Sequence, residues 1–458
     1  MKKHFDAIII GAGQAGPSLA GRLTSAGKSV AIVERKLFGG TCVNTGCMPT
    51  KAMVASAYAA HLARRGADYG VTTGPVTIDF ARVMARKDTV RFTSRKNVES
   101  WLKGMKNCTV FEGHARFESP HEIRLGEDLL SADQIFLNVG GRAATPDFPG
   151  VEDVPHLTNV SIMDLDTLPR HLIVVGGSYI GLEFAQMFRR FGSEVTVIEK
   201  GPRLIGREDA DVSDAILAIL EKEGIQLRLN AECIRFARRG DEVVAGVDCT
   251  AGAPEIAGSH LLLATGRRPN TDDLGLDRAG IKTDARGYVE VDETLKTNVP
   301  HIFAMGDCNG RGAFTHTAYN DFEIVAANLL DGEARKVSDR ISTYALFVDP
   351  PLGRAGMTET EARKSGRKLL VGTRPMTRVG RAVEKGETEG FMKVIVDAET
   401  KEILGASILG TGGDEAVQSV LDVMYAGKPY TTITHAVHIH PTVSELIPTV
   451  FGDLRPVA

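Results

Sequence analysis

One pattern, written twice, constrains this chain most. The apolar run Ala7-Ile8-Ile9-Ile10 enters Gly11-Ala12-Gly13-Gln14-Ala15-Gly16, a helical stretch follows through Leu23, and Val30-Ala31-Ile32-Val33 ends in Glu34. Downstream, His171-Leu172-Ile173-Val174-Val175 enters Gly176-Gly177-Ser178-Tyr179-Ile180-Gly181, and Val195-Thr196-Val197-Ile198 ends in Glu199. Gly11, Gly16 and Glu34 correspond to Gly176, Gly181 and Glu199 at a common offset of 165 residues. Strand, glycine turn, helix and acid-terminated strand are the parts of a dinucleotide site. The glycines allow a tight turn and close approach to pyrophosphate, the helix N-terminus receives its charge, and the acid meets the ribose hydroxyls. Two such units predict an α/β chain with two Rossmann-like nucleotide-binding domains. Ser178 replaces the glycine that Gly13 supplies in the first copy; a serine fits there and donates a hydroxyl.

Just after the first copy comes Gly39-Gly40-Thr41-Cys42-Val43-Asn44-Thr45-Gly46-Cys47-Met48-Pro49-Thr50-Lys51, at the mouth of a long helical pattern. In a regular helix, residues five apart point roughly 140° from each other, and their Cα atoms exceed the roughly 7 Å limit for a disulfide. A distorted first turn is therefore expected if the two sulfurs meet. Gly46 supplies backbone freedom and Pro49 a fixed φ without an amide donor. Orphan amides at a helix start also favour a thiolate. The plain alternative is two buried free cysteines behaving as small hydrophobes.

These residues resemble the redox-active disulfide segment of the flavoprotein pyridine nucleotide-disulfide oxidoreductases of class I: glutathione reductase, dihydrolipoamide dehydrogenase, mercuric reductase and their relatives. The resemblance extends over nearly the whole chain. It implies an FAD-binding domain in two parts (1–145 and 271–335), an NAD(P)-binding domain (146–270) and a C-terminal α+β dimerisation domain (336–458). Residues 134–142 resemble the crossing out of the flavin domain at Gly140, and 261–270 the return crossing at Gly266. Residues 298–307 resemble the second flavin motif, whose Asp307 accepts hydrogen bonds from the ribityl chain; an ordinary helix cap is its other reading. Thr41 falls within the cofactor-facing segment. The last third reads as strands at 343–349, 368–375, 391–396 and 403–409, with helical patterns at 358–365 and 413–426.

The same resemblance assigns roles. Cys47 is the flavin-facing thiol and Cys42 the interchange thiol that attacks substrate. Lys51 pairs with Glu183 near the flavin, although both also read as surface helix charges. Tyr179 gates the nicotinamide pocket, or is plain packing. His440, oriented by Glu445, supplies the acid-base group that a departing thiolate needs, in a titration range suited to it; in the family it reaches the disulfide of the partner subunit. A homodimer with shared active sites follows. Glu199 favours NADH by meeting a 2′-hydroxyl, while Lys200 and Arg203 leave NADPH open.

Composition narrows the partners. With 458 residues, 43% hydrophobic and 24% charged, the chain is an ordinary multi-domain globular sequence, and its net charge of −4 gives no reason to expect nucleic acid. No apolar run is long enough to span a bilayer and no signal-peptide core precedes the first strand, so a cytoplasmic protein is expected. Six cysteines in such a chain do not make a framework, and Cys108, Cys233, Cys249 and Cys308 read as structural or incidental. His435, His438 and His440 have a spacing that suits zinc or copper, but no nearby cysteine or carboxylate completes a set, and no dedicated metal site is expected. The stretch 349–359 resembles an oxidative-stress and copper-reducing branch of the family as much as glutathione reductase. The readings in order are a reductase of a small-molecule or protein disulfide, a mercuric or cupric reductase, and a redox-sensing flavoprotein of low turnover. A dedicated mercuric reductase is not expected, since the tail from Thr431 has no cysteine to hand a soft metal inward.

Overall fold

The computed structural model describes residues 2–248 and 254–457, apart from the side chain of Cys233. The chain divides into two compact units, one of residues up to 52, 82–145 and 266–340, the other of 53–81, 146–265 and 341 onward.

The first unit is built on a seven-stranded sheet. Strand Lys2–Ile10 lies between Val30–Glu34 and Asp128–Leu137, parallel to both, with Cys108–Glu112 beyond Val30–Glu34 and Ile302–Ala304 parallel to the end of Asp128–Leu137. The other half of Asp128–Leu137 carries the antiparallel strands Glu122–Leu125 and Ala115–Ser119. Continuous apolar runs form these strands because both faces are covered. Ile8, Ile10, Val33, Ile135 and Leu137 face one core, and Ala7, Ile9, Ile32, Phe136 and Phe303 the other. Each large side chain so buried contributes about 1.5–3 kcal/mol, so this sheet is the rigid floor from which the glycine turns project.

In the second unit, the parallel strands Gln226–Arg228, Glu194–Ile198, His171–Val175 and His260–Leu263 repeat the nucleotide-binding arrangement. An antiparallel six-stranded sheet forms the C-terminal part. Helix Tyr179–Phe191 is pinned to that part by Gln186, whose side chain both accepts from Asp349 N (2.7 Å) and donates to Asp349 O (2.8 Å). Buried Arg354 pairs with Glu208, and buried Lys393 with Asp209, Asp211 and Glu359.

Residues Phe80–Lys103 form one long helix. The C-terminal sheet has two strands beyond the four read from the sequence: Thr343–Leu346 is short, a further strand, Leu352–Gly356, pairs with it and with Ile403–Leu409, and Arg455–Pro456 pairs with Leu369–Pro375. Two prolines and two glycines around that strand mimic a turn. Gly353 is there because helix Gly413–Tyr425 packs so closely that a Cβ would lie 2.4 Å from Gly413 O. The two crossings pair with each other, Gly141–Ala143 running antiparallel to Arg267–Pro269.

Candidate active site

The thiol segment is a helix broken between its cysteines. Gly39 and Gly40 turn with φ of +91° and +62°, a short helix covers Gly40–Thr45, and Gly46 (φ −136°, ψ −120°) interrupts it before Cys47–Arg64 begins. The buried Asn44 fastens the first turn, donating from Nδ2 to Phe38 O and Gly40 O at 2.9 Å each. Pro49 falls in the first turn of the new helix, where an amide is not required. Cys42 and Cys47 are free, half-buried thiols. Their environments pull them apart. A hydrogen bond from Cys42 lowers the Cys47 thiol to about 6 against the cost of burial, with Thr315 and the charge of Lys51 adding to the effect. Cys42 moves upward, first because its proton is held in the hydrogen bond to Cys47, then because it is buried and its charge would lie beside that of Cys47.

The glycine turns repeat in detail. Gly11 (φ +105°) could not carry a side chain, since a Cβ would stand 2.3 Å from Asn138 O; Gly176 (φ +115°) would meet Ala264 O at 2.5 Å. A Cβ on Gly16 or Gly181 would strike the carbonyl of Gly11 or Gly176. Gly13 leaves room against Gly40 and Asn138. Both acids hold their own loops: Glu34 accepts from Ala12 N (2.9 Å) and Lys36 N (2.8 Å), and Glu199 from Gly177 N (2.6 Å) and Gly201 N (2.7 Å). These four contacts keep the 165-residue offset. Arg203 pairs with Asp214.

Asp307 follows strand Ile302–Ala304 with burial raising its carboxyl, and Arg267 Nη2 meets it at 3.5 Å. Gly140 and Gly266, with φ of +65° and +144°, border open space. Thr41 is exposed beside Cys42. These groups share the first unit with both cysteines and Lys51.

The second unit holds the others. Tyr179 is half-buried at the first position of its helix, and buried Glu183 accepts from Phe347 N at 3.0 Å. His440 Nδ1 lies 2.9 Å from Glu445, with the ring 81% exposed and the carboxylate 14%. Val437 and Ile439 beside it are fully or largely exposed. His438 Nδ1 contacts Ala436 O, and among the described residues no group of three His, Cys, Asp or Glu side chains is placed to hold a metal ion.

Comparison with known sequences bears on this arrangement. The family described as pyridine nucleotide-disulphide oxidoreductase matches residues 5–321, and its dimerisation domain matches 342–451. The chain belongs to that family. It is 37% identical over 98% of its length to the probable pyridine nucleotide-disulfide oxidoreductase RclA of Escherichia coli, covering 99% of that protein. It is 33% identical to a mercuric reductase of Streptomyces lividans and to a dihydrolipoyl dehydrogenase of Thermus scotoductus, each over 97% of this chain and 94% or 96% of the relative. Its fold matches the Cu(II) complex of the HOCl-induced flavoprotein disulfide reductase RclA from Escherichia coli, with a TM-score of 0.90 at 36% identity over 99% of both chains. As a member of the pyridine nucleotide-disulphide oxidoreductases the chain is an FAD- and NAD(P)H-dependent oxidoreductase, and its residues fit those groups. The cradle of Gly11, Gly13 and Gly16 exposes backbone that any Cβ would cover or displace, and the desolvated Asp307 suits hydroxyl donors. Among the described residues no helix is long and apolar enough to cross a membrane.

Three residues at the site have no role assigned by the sequence. Asn138 donates from Nδ2 to Gly11 O at 3.2 Å. Asp321, 1% exposed, accepts from Gly306 N (2.8 Å) and Asn309 Nδ2 (2.9 Å) and pairs with Arg340, fixing the turn that presents Asp307. Thr315 reaches Cys47. For Asp321 the one available signal was an acid on the helix face it shares with Ala318, Ile324 and Val325. Of the remaining cysteines, Cys308 is fully buried and pushed up to about 12, and Cys108 is half-buried and raised to about 11; Cys249 lies outside the described residues.

Proposed function

We propose that this chain passes electrons from NAD(P)H through FAD to the Cys42–Cys47 pair, and from there to a disulfide or other thiol-reactive acceptor. The observation that carries this reading is the broken helix, which places two thiols together and drives their acidities in opposite directions. A shared disulfide needs one stable thiolate and one nucleophile held back until a base removes its proton. Cys47 suits the first role and Cys42 the second.

When bound, FAD converts hydride arriving from the nicotinamide into electrons that thiols accept. Gly11, Gly13, Gly16 and Glu34 hold its pyrophosphate and ribose end, with Thr41, Gly140, Gly266 and Asp307 along the remainder. Lys51 places positive charge beside Cys47 and pairs with Glu183. Gly176, Gly181, Tyr179 and Glu199 receive the nicotinamide nucleotide. NADH is preferred, because the Glu199 carboxylate repels a 2′-phosphate and Arg203 is engaged by Asp214. His440, its ring oriented by Glu445, protonates the departing thiolate in the partner subunit of a homodimer. The domains divide as 1–145 with 271–335 for FAD, 146–270 for NAD(P)H and 336–458 for the dimer, in a cytoplasmic enzyme.

A second reading, reduction of a metal ion such as Cu(II) or Hg(II), is favoured by the Cu(II) complex recorded for RclA and by the mercuric reductase relative. Steady-state oxidation of NADH and NADPH with oxidised glutathione, lipoamide, small disulfides, Cu(II) and Hg(II) plus excess thiol decides between them. A disulfide should give the highest kcat/KM, with NADH ahead of NADPH. Saturable metal-ion turnover above every disulfide overturns it.

A further inference from the structure

Thr315 belongs to no motif, yet its hydroxyl Oγ1 stands 3.1 Å from Cys47 Sγ. It opens helix Thr315–Ala326 as Cys47 opens Cys47–Arg64, so two helix N-termini close on one sulfur. Its position is enforced from both sides. The Thr317 hydroxyl donates to Phe314 O (2.8 Å) and accepts from Phe314 N (3.1 Å), closing the helix start. Asp321 on the same helix binds Gly306 N, tying it to the turn that carries Asp307.

A thiol or disulfide sulfur is a weak acceptor and a thiolate a strong one, so a hydroxyl donor at this distance discriminates between them. We propose that Thr315 is a positioning residue of the reduced enzyme, donating its hydroxyl to Cys47 Sγ so that the negative charge stays on that sulfur and Cys42 keeps its proton until a base takes it. The same hydroxyl also eases ionisation of Cys42, but there the neighbouring Cys47 and burial dominate. The proposal rests on Cys47 being the flavin-facing thiolate.

The test is an anaerobic pH titration of the two-electron-reduced holoenzyme, reading the long-wavelength thiolate-to-flavin absorbance in wild type, Thr315→Val and Thr315→Ser, with Cys47→Ser as the blank. Valine keeps the shape and loses the donor, so its midpoint rises by about one pH unit, while serine stays near wild type. Thr315→Ala, a second variant without the hydroxyl, replaces valine in the comparison if valine does not fold. An unchanged midpoint without the hydroxyl, or an equal rise with serine, overturns the role of Thr315. A wild-type enzyme with no Cys47-dependent band instead refutes the Cys47 assignment itself, and the two failures are told apart by that arm alone.

Discussion

A cysteine that opens a helix is a better thiolate than one buried in a sheet, and this chain holds both kinds. Cys47 has amides, a hydroxyl, a thiol donor and Lys51 around it and falls to about 6, whereas Cys108, on a strand, is lifted by burial to about 11. Because the lowered group is charged when deprotonated, its thiolate is fully formed well above pH 6 and lost as pH falls through that value. In reduced protein, alkylation of Cys47 by iodoacetamide, followed by peptide mass spectrometry, should therefore fall about tenfold from about pH 7.5 to about pH 5, with Cys108 nearly inert throughout. A Cys47 profile that rises only above pH 8 contradicts the assignment.

At the scale of elements, the duplicated strand-turn-helix units make separable predictions. Gly11 and Gly176 both have positive φ and a carbonyl oxygen within 2.5 Å of where a Cβ would stand, so alanine at either displaces the turn. Gly11→Ala should yield protein with little bound flavin. Gly176→Ala should remain yellow and show a KM for NADH raised about tenfold or more. Absorbance ratios and steady-state kinetics read both, and a Gly176→Ala enzyme that loses flavin while keeping nucleotide affinity would reverse the assignment. These elements were legible in the sequence because strand, glycines and acid lie within about 25 residues of each other, so local chemistry specifies them. The break at Gly46 was legible for the same reason. Strand Leu352–Gly356 was not, since its glycine answers to a helix some 60 residues on. Thr315, Asn138 and Asp321 contact partners distant in sequence or backbone groups, and neither an isolated threonine nor an asparagine within an apolar crossing strand announces such a contact. Nor did spacing show that Glu34 and Glu199 brace their own loops.

At the scale of the whole molecule, the dimerisation domain ends in a feature with little to do in a single chain. His440 is exposed but oriented by Glu445, and Val437 and Ile439 offer apolar surface beside it. If His440 serves the partner's disulfide, heterodimers of Cys42→Ser and His440→Ala subunits should recover activity, since one of their two sites retains both groups. Verified heterodimers that stay inactive place His440 elsewhere. The central claim, that electrons pass through Cys47 next to the flavin, is tested most directly by anaerobic titration of the whole enzyme with NADH. Two reducing equivalents should produce a long-wavelength absorbance band that persists in Cys42→Ser and is absent in Cys47→Ser. A band that survives in Cys47→Ser, or flavin that bleaches fully at two equivalents in wild type, would contradict the account.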